Sequence, residues 1–406
     1  MNDVRTSGFK RLTRLETARE QLLDRIDPVK RSESVGLVAA DGRVLAESVV
    51  ADRDVPHYPR AAMDGFAVRA ADTFGASRRS PAVLRQEETL DPGTATRVHT
   101  GSELPEGADA VVMVEHAEIV GEEIEVADPV AAGENVAPVG EDVRAGRELY
   151  EPGHRLRPSD LGLLKSVGVD EVSVYEFPTV GVVPTGEELV QADPEPGEIV
   201  ETNGLTTSRY VERWGGRATY REIVTDDWAA LRAAIERDLT KDLVVTTGGS
   251  SVGERDLLPE VVDDLGEVLV HGIGCKPGHP AGFGVVADTP VLMLPGYPVA
   301  CIVNAIQLLR PALQRAGHHP QRNPPTTEAR LNRKLPSEPG VRTYARVELR
   351  EADDDDSEPT AVPTRTSGAG VLSSVALADG WVVVPEEREG IPVDEIVAVE
   401  RWEGKP

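Results

Sequence analysis

The chain has 406 residues, 40% of them apolar and 28% charged. That is too long for one ordinary core and too apolar for a disordered chain, so roughly two to four domains are expected. Seventy acids against 43 bases leave a net charge of −27, a field that repels polyanions and argues against nucleic acid or an anionic membrane as partner.

The first 50 residues read as helical, because LTRLETAREQLLDRI repeats Leu12, Leu15, Ala18, Leu22 and Ile26 at spacings of three and four before Pro28. The N-terminus lacks the apolar core of a signal peptide. No stretch nears the roughly 20 apolar residues of a membrane span, so a cytoplasmic location is expected. From Ala51 to Arg147 short Val-rich runs cut by Gly and Pro predict a β-rich inserted domain, residues 51–147. The segment LRPSDLGLLKSVG is a short helix that could pack beside the N-terminal one, giving a helical linking domain from residues 1–50 with 148–178.

Over 179–320 strands and helices alternate regularly: TVGVVPTG, LTTSRYVERW, ATYREIV, DDWAALRAAIERDL, DLVVTTGG, RDLLPEVVDDL, EVLVHGI, FGVV, PVLMLPG and a closing helix striped by Val299, Ile302, Val303, Ile306, Leu309 and Leu313. This is a three-layer α/β domain with a mostly parallel sheet. After the Pro-rich HHPQRNPPTTE, residues 325–406 carry strands in VRTYARVELR, GWVVVPE and EIVAVERW and form a small barrel-like β domain. The Asp353 to Asp356 run lacks the spacing and glycine of a calcium loop and reads as a solvated hairpin tip. Cys275 and Cys301 form no CxxC pair, so structural zinc and a disulfide framework lose support and both thiols are expected buried and reduced.

Chemistry concentrates in a few segments. In VVTTGGSSVGERD a buried strand runs into Gly248 and Gly249, two hydroxyls follow at Ser250 and Ser251, and a helix begins near Asp256. Backbone N–H groups and hydroxyls converge there at the carboxyl end of a sheet, a place for an anionic group; a turn serving only connection is the plainer reading. The same letters contain GxSxG, which with Asp288 and His318 or His319 would make a serine hydrolase acting through Ser251. Dinucleotide and P-loop glycine patterns are absent. CKPGHP places Lys276, one of only seven lysines, beside a Pro-Gly turn, informative if an oxyanion must be held against a negative field, unless it is simply a surface lysine. Asp64 ends a compact loop before Gly65 and could merely cap it. Thr100-Gly101, Glu141 and Asp142 lie on other loops of the β-rich region, and carboxylates from several loops are what a magnesium site uses.

Taken together, PHYPRAAMDGFAV, VHTGSELPEGADAVV, GENVAPVGEDVRAG, VVPTGEELV, ETNG, DLVVTTGGSSVGERD, KPGHP and LPGYPVA resemble the molybdopterin molybdenumtransferases, the family of bacterial MoeA and the gephyrin E-domain, in order along nearly the whole chain. The resemblance implies four subdomains, a central domain of the molybdopterin-binding type, and a homodimer with the site between protomers. It further implies insertion of molybdate, or tungstate, into adenylated molybdopterin with release of AMP and the help of Mg2+, and a molybdopterin adenylyltransferase as upstream partner. Carried over by position, Asp64, Asp142, Asp256 and Lys276 would be catalytic, with Asp64, Glu188 and Asp256 on the metal. Thr100, Glu188, Asp227 (or its neighbour Asp226), Thr247, Gly248, Gly249, Ser250 and Ser251 would hold the pterin nucleotide. Lys276, His279, Arg346 and Ser367 would hold molybdate. Here KPGHP stands for the family's KPGKP, Tyr297 replaces an Asn and Ala61 a Ser; His279 makes the oxyanion site pH-sensitive. A non-catalytic scaffold that keeps the fold would not need the surviving carboxylates. The acidic, lysine-poor composition is halophile-like.

Overall fold

The computed structural model describes residues 12–248, 257–351, 358–365 and 368–403. The chain forms two compact units: one takes the segments up to Arg31 and from Tyr175 onward, and the other is Ser32–Val174. Among the described residues no helix is long and apolar enough to cross a membrane.

Helix α1 spans Leu15–Leu23, and the residues of its apolar stripe, Leu15, Ala18 and Leu22, are buried, with Ile26 just beyond also buried. Helical character does not extend over the first 50 residues as expected. Ser32–Gly36 alternates exposed and half-buried positions with period two and pairs with Glu171–Tyr175, the pattern of a strand.

The Ser32–Val174 unit is built on a six-stranded sheet of β1 (Gly65–Val68), β2 (Ala82–Gln86), β3 (Thr94–Val98), β4 (Ala110–Met113), β5 (Ala117–Val120) and β6 (Glu123–Val126), in the order β4-β1-β3-β2-β6-β5. Only the β2–β3 pairing is parallel. Phe66, Val68, Leu84, Val112, Ile124 and Val126 form its core. A second core gathers Leu45, Leu156, Val167, Val172 and Val174 around helix α2 (Pro158–Ser166). α1, by contrast, buries its stripe in the other unit's core, among Ile306, Leu309 and Leu313. The two helices therefore serve separate cores and do not pack as the expected pair.

From Thr179 the alternation of the sequence becomes β7 (Thr179–Pro184), α3 (Asn203–Arg213), β8 (Arg217–Tyr220), α4 (Trp228–Asp238), β9 (Leu243–Thr247), α5 (Leu257–Leu265), β10 (Glu267–His271), β11 (Cys275–Lys276), β12 (Gly282–Val286), β13 (Thr289–Leu294), α6 (Pro298–Asn304) and α7 (Arg310–Ala316). The sheet order is β8-β7-β9-β13-β12-β10. Its first four strands are parallel, and β12 and β10 add an antiparallel edge. One face packs on α1, α3, α6 and α7 through Val180, Val182, Val245, Leu292, Tyr210 and Val303; the other packs on α4 and α5 through Val183, Val244, Val291, Leu231, Ile235, Leu258 and Val262. Between α6 and α7 the helix widens to a π segment, Ala305–Leu309. Cys275 and Cys301 are free and buried.

The tail supplies β14 (Thr326–Leu331), β15 (Arg342–Arg350), β16 (Thr360–Arg365), β17 (Gly380–Val384) and β18 (Ile396–Glu400). Pairing runs β15-β16-β14-β18-β17 and returns from β17 to β15, so the five strands close into a barrel, with β11 added alongside β15. Closure leaves its core of Ala329, Leu331, Val347, Val382 and Val399 wholly enclosed. The Asp353–Asp356 run lies outside the described residues.

Candidate active site

β7 connects through α3 to β8 on one side of the sheet and the chain then returns through α4 to β9 on the other, so the carboxyl ends of β7 and β9 diverge at a switch point where ligands of open α/β sheets bind. Gly248 ends β9 with φ +120°, and a Cβ there would stand 2.0 Å from the Thr185 carbonyl oxygen, so only glycine fits. Its N–H donates to Leu294 O at 3.0 Å. Thr185 and Thr247, the residues ending this crevice on either side, are each 1% exposed, and neither hydroxyl oxygen has a hydrogen-bond partner among the described residues. Buried hydroxyls without partners are uncommon and mark a place for a polar ligand or water. Asn203, opening α3, donates its Nδ2 to Gly296 O at 2.7 Å, joining α3 to the loop after β13. Glu201 fixes that helix start by accepting Gly204 N at 2.6 Å and the Tyr220 hydroxyl. Gly249, Ser250, Ser251 and Asp256 lie outside the described residues.

Beside the crevice stands an acidic group. Burial pushes the Asp226 carboxyl above the usual carboxylate range, and the charges of Glu188 and Glu187 push it further; its Oδ1 has no partner among the described residues. Repulsion between neighbouring carboxylates is what a bound cation relieves, so the exposed Glu188 and the half-buried Asp226 fit the oxygen-ligand chemistry of Mg2+. Among the described residues no cluster of three or more His, Cys, Asp or Glu is arranged around a metal position. Asp227, by contrast, caps α4, its Oδ1 accepting Ala230 N at 3.0 Å. The half-buried carboxylate that feels the Glu188 charge is therefore Asp226.

The KPGHP segment begins on β11, which runs parallel to β15 with Lys276 opposite Thr343. Lys276 Nζ pairs with Glu338 Oε1 at 2.8 Å. The His279 imidazole is held below its ordinary pKa by loss of hydration and then by the Lys276 charge, against the pull of Glu338. Arg346 on β15 is fully buried, its Nη2 donating to Gly368 O at 3.3 Å and its Nη1 to Tyr344 O at 3.4 Å. Its guanidinium thus ties β15 to the backbone of the loop at Gly368. Ser367 lies outside the described residues. Tyr297 is 64% exposed, and its ring comes to within 3.4 Å of where a side chain on Gly370 would begin.

In the Ser32–Val174 unit Asp64 and Thr100 do come together. Asp64 Oδ1 accepts Thr100 N at 2.6 Å and the Thr100 hydroxyl at 3.0 Å, and these two bonds hold the carboxyl below its ordinary pKa. Asp142 is exposed, its backbone N–H donating to Val55 O at 3.0 Å. Ala61 is buried on the strand paired with Val136–Ala137. Of the two candidate bases of the hydrolase alternative, His318 bonds Val29 O at 2.7 Å and stacks on Tyr175 at 3.6 Å, a structural assignment. Thr185, Asn203 and Glu338 went unassigned in the sequence, and Asp226 stood only as the alternative to Asp227. Thr185 lay inside VVPTGEELV and Asn203 inside ETNG, while Glu338 carried no signal.

Residues 13–168 match the family described as MoeA N-terminal region (domain I and II), residues 181–315 the probable molybdopterin binding domain, and residues 328–402 the MoeA C-terminal region (domain IV). The chain belongs to the MoeA family. A protein named for molybdopterin biosynthesis from Methanocaldococcus jannaschii is 37% identical over 394 residues, 94% of each chain. The molybdopterin molybdenumtransferase of Haemophilus influenzae is 30% identical over 396 residues, 95% of this chain and 98% of that one. A crystal structure of the molybdopterin biosynthesis MoeA protein of Pyrococcus horikosii is 35% identical with a TM-score of 0.82, covering 97% of this chain and 100% of that chain. This MoeA-family chain thus carries an enzyme fold of molybdenum cofactor biosynthesis along its length.

Proposed function

We propose that the chain is a molybdopterin molybdenumtransferase that inserts molybdate, or tungstate, into adenylated molybdopterin and releases AMP. The observation that supports this most is the crevice at Gly248, where a residue without a side chain and two buried hydroxyls, Thr185 and Thr247, that have no partner among the described residues suit a phosphate-bearing ligand. The relatives' names supply the pterin. In the reaction two thiol protons and one oxide of the oxyanion leave as water as two sulfur–metal bonds form. One water is consumed in splitting the phosphoanhydride, so AMP and the metal-loaded pterin phosphate are the products. Lys276 would hold the oxyanion, and His279 would set how that affinity varies with pH. Glu188 and Asp226, with Asp64 and Asp256 by resemblance, would hold Mg2+, which when bound neutralises phosphate charge. Asp142 and Thr100 are further site residues by resemblance. The homodimer, the upstream molybdopterin adenylyltransferase, the cytoplasmic location and a salt-adapted surface belong to the same reading.

The test is AMP release from adenylated molybdopterin on addition of molybdate and Mg2+, in salt that keeps the protein folded. Absence of release removes the catalytic reading and leaves a binding scaffold. Lys276→Ala should raise the molybdate requirement by about tenfold, in keeping with loss of one charged hydrogen bond, and leave pterin affinity nearly unchanged. Equal losses in both would overturn the assignment of Lys276.

A further inference from the structure

Asn304 closes α6 where the helix widens into the π segment, and it is completely buried. Its Nδ2 donates to Gly278 O at 3.0 Å and to Ala300 O at 2.9 Å, and its Oδ1 accepts the Cys275 thiol at 3.7 Å. Both N–H bonds and one acceptor position of a single amide are thus in use. Its two partners in the oxyanion segment, Cys275 and Gly278, flank Lys276 and Pro277 on either side. Gly278 has φ +125°, and a Cβ there would stand 2.1 Å from Asn304 Nδ2, so the backbone approaches the amide more closely than any side chain permits. Burial pushes the Cys275 thiol up to about 12, so it stays protonated and remains a donor.

A buried amide with this much of its hydrogen-bonding capacity engaged is costly to leave half-made and rigid when satisfied. We infer that Asn304 is the positioning residue of the oxyanion site: from inside the helix it clamps both sides of the Lys276–Pro277 pair and so fixes where the Lys276 ammonium is presented. It touches no substrate. The inference rests on the reading that Lys276 binds the oxyanion.

The experiment uses the full chain and three variants, Asn304→Asp, Gly278→Ala and Lys276→Ala, with AMP release followed against molybdate at saturating pterin and against pterin at saturating molybdate. Asn304→Asp keeps the shape of the side chain and removes both N–H donors; Gly278→Ala keeps the amide and forces the backbone away from it. Each should raise the half-saturating molybdate concentration about three- to tenfold, the worth of one net hydrogen bond, with the pterin half-saturation unchanged within about twofold and melting curves showing folded protein. Equal losses in both half-saturations would assign Asn304 a merely structural role and overturn the inference. So would wild-type molybdate dependence in both Asn304→Asp and Gly278→Ala while Lys276→Ala is impaired. Wild-type molybdate dependence in Lys276→Ala would instead overturn the reading of the loop itself. If Asn304→Asp does not fold, the Gly278→Ala measurement decides.

Discussion

His279 shares its surroundings with one ammonium and one carboxylate, Lys276 and Glu338. Loss of hydration first and the lysine second hold the imidazole below its ordinary value of about 6.5, so the folded protein keeps it neutral at neutral pH. The sign follows: as pH falls through that lowered value the ring gains a positive charge beside Lys276 and the oxyanion is held more tightly. The unfolded chain takes up its proton earlier, near pH 6.5, so the same change slightly weakens the fold. Half-saturating molybdate should therefore fall from pH 8 to pH 5.5 in the wild type, and His279→Gln should flatten the profile; an unchanged profile in the variant would show that another group sets it. Lys276 stood out in the sequence as a rare cation beside a Pro-Gly turn in an acidic chain, whereas its pairing with Glu338 did not. Asp226 and Asp227 could not be told apart by resemblance, although an Asp directly before a helix is the ordinary N-cap. Thr185 lay inside VVPTGEELV without a role, and Asn304 was not legible at all, since its significance lies in a backbone carbonyl that approaches it from a distant segment.

Among the elements, α2 shows how much of a short helix depends on one residue. Asp160, in its first turn, is only 3% exposed and accepts Arg157 N at 2.9 Å, Arg157 Nη2 at 2.9 Å, His154 Nε2 at 2.8 Å and the Tyr150 hydroxyl at 3.2 Å. Burial alone would raise its pKa, but these donors overwhelm that effect and hold the carboxyl well below the usual range. Asp160→Ala leaves the donors without an acceptor and should destabilise the Ser32–Val174 unit by about 2 to 3 kcal/mol at pH 7. A depressed carboxylate pKa contributes stability above the unfolded value near 3.9 and loses it as pH falls through the folded value. The gap between wild type and variant in thermal melts should therefore narrow as the pH is lowered from 7 through 3. The Pro-Ser-Asp start of this helix and the apolar stripe of α1 were readable from residue type and spacing. Which core each helix joins was not, because one stripe of Leu and Ala suits either.

For the molecule as a whole, regular alternation announced a parallel sheet, and the barrel-like tail was expected too; which strands close the ring was not readable, since it rests on the pairing of β15 with β17, whose partners such as Thr343 and Val384 are far apart in sequence. Net charge was readable directly. A charge of −27 repels itself in the compact state, and salt screens that repulsion with a Debye length of about 3 Å at 1 M against about 10 Å at 0.1 M. The melting temperature should rise between 0.1 M and molar KCl; a fall would count against a surface adapted to salt.

The crossing between the two units has a consequence for how the protein is made. The chain leaves the larger unit at Arg31 and re-enters it at Tyr175, and Glu176 N meets Arg31 O at 2.9 Å, so the departing and returning backbones lie side by side. On the ribosome the whole of Ser32–Val174 emerges after α1 and before the sheet and helices that cover it. The insert can therefore mature early, bringing the ends of its own excursion together, whereas α1 must wait for helices translated some hundreds of residues later before its leucines are covered. Synthesis thus completes the guest before the host.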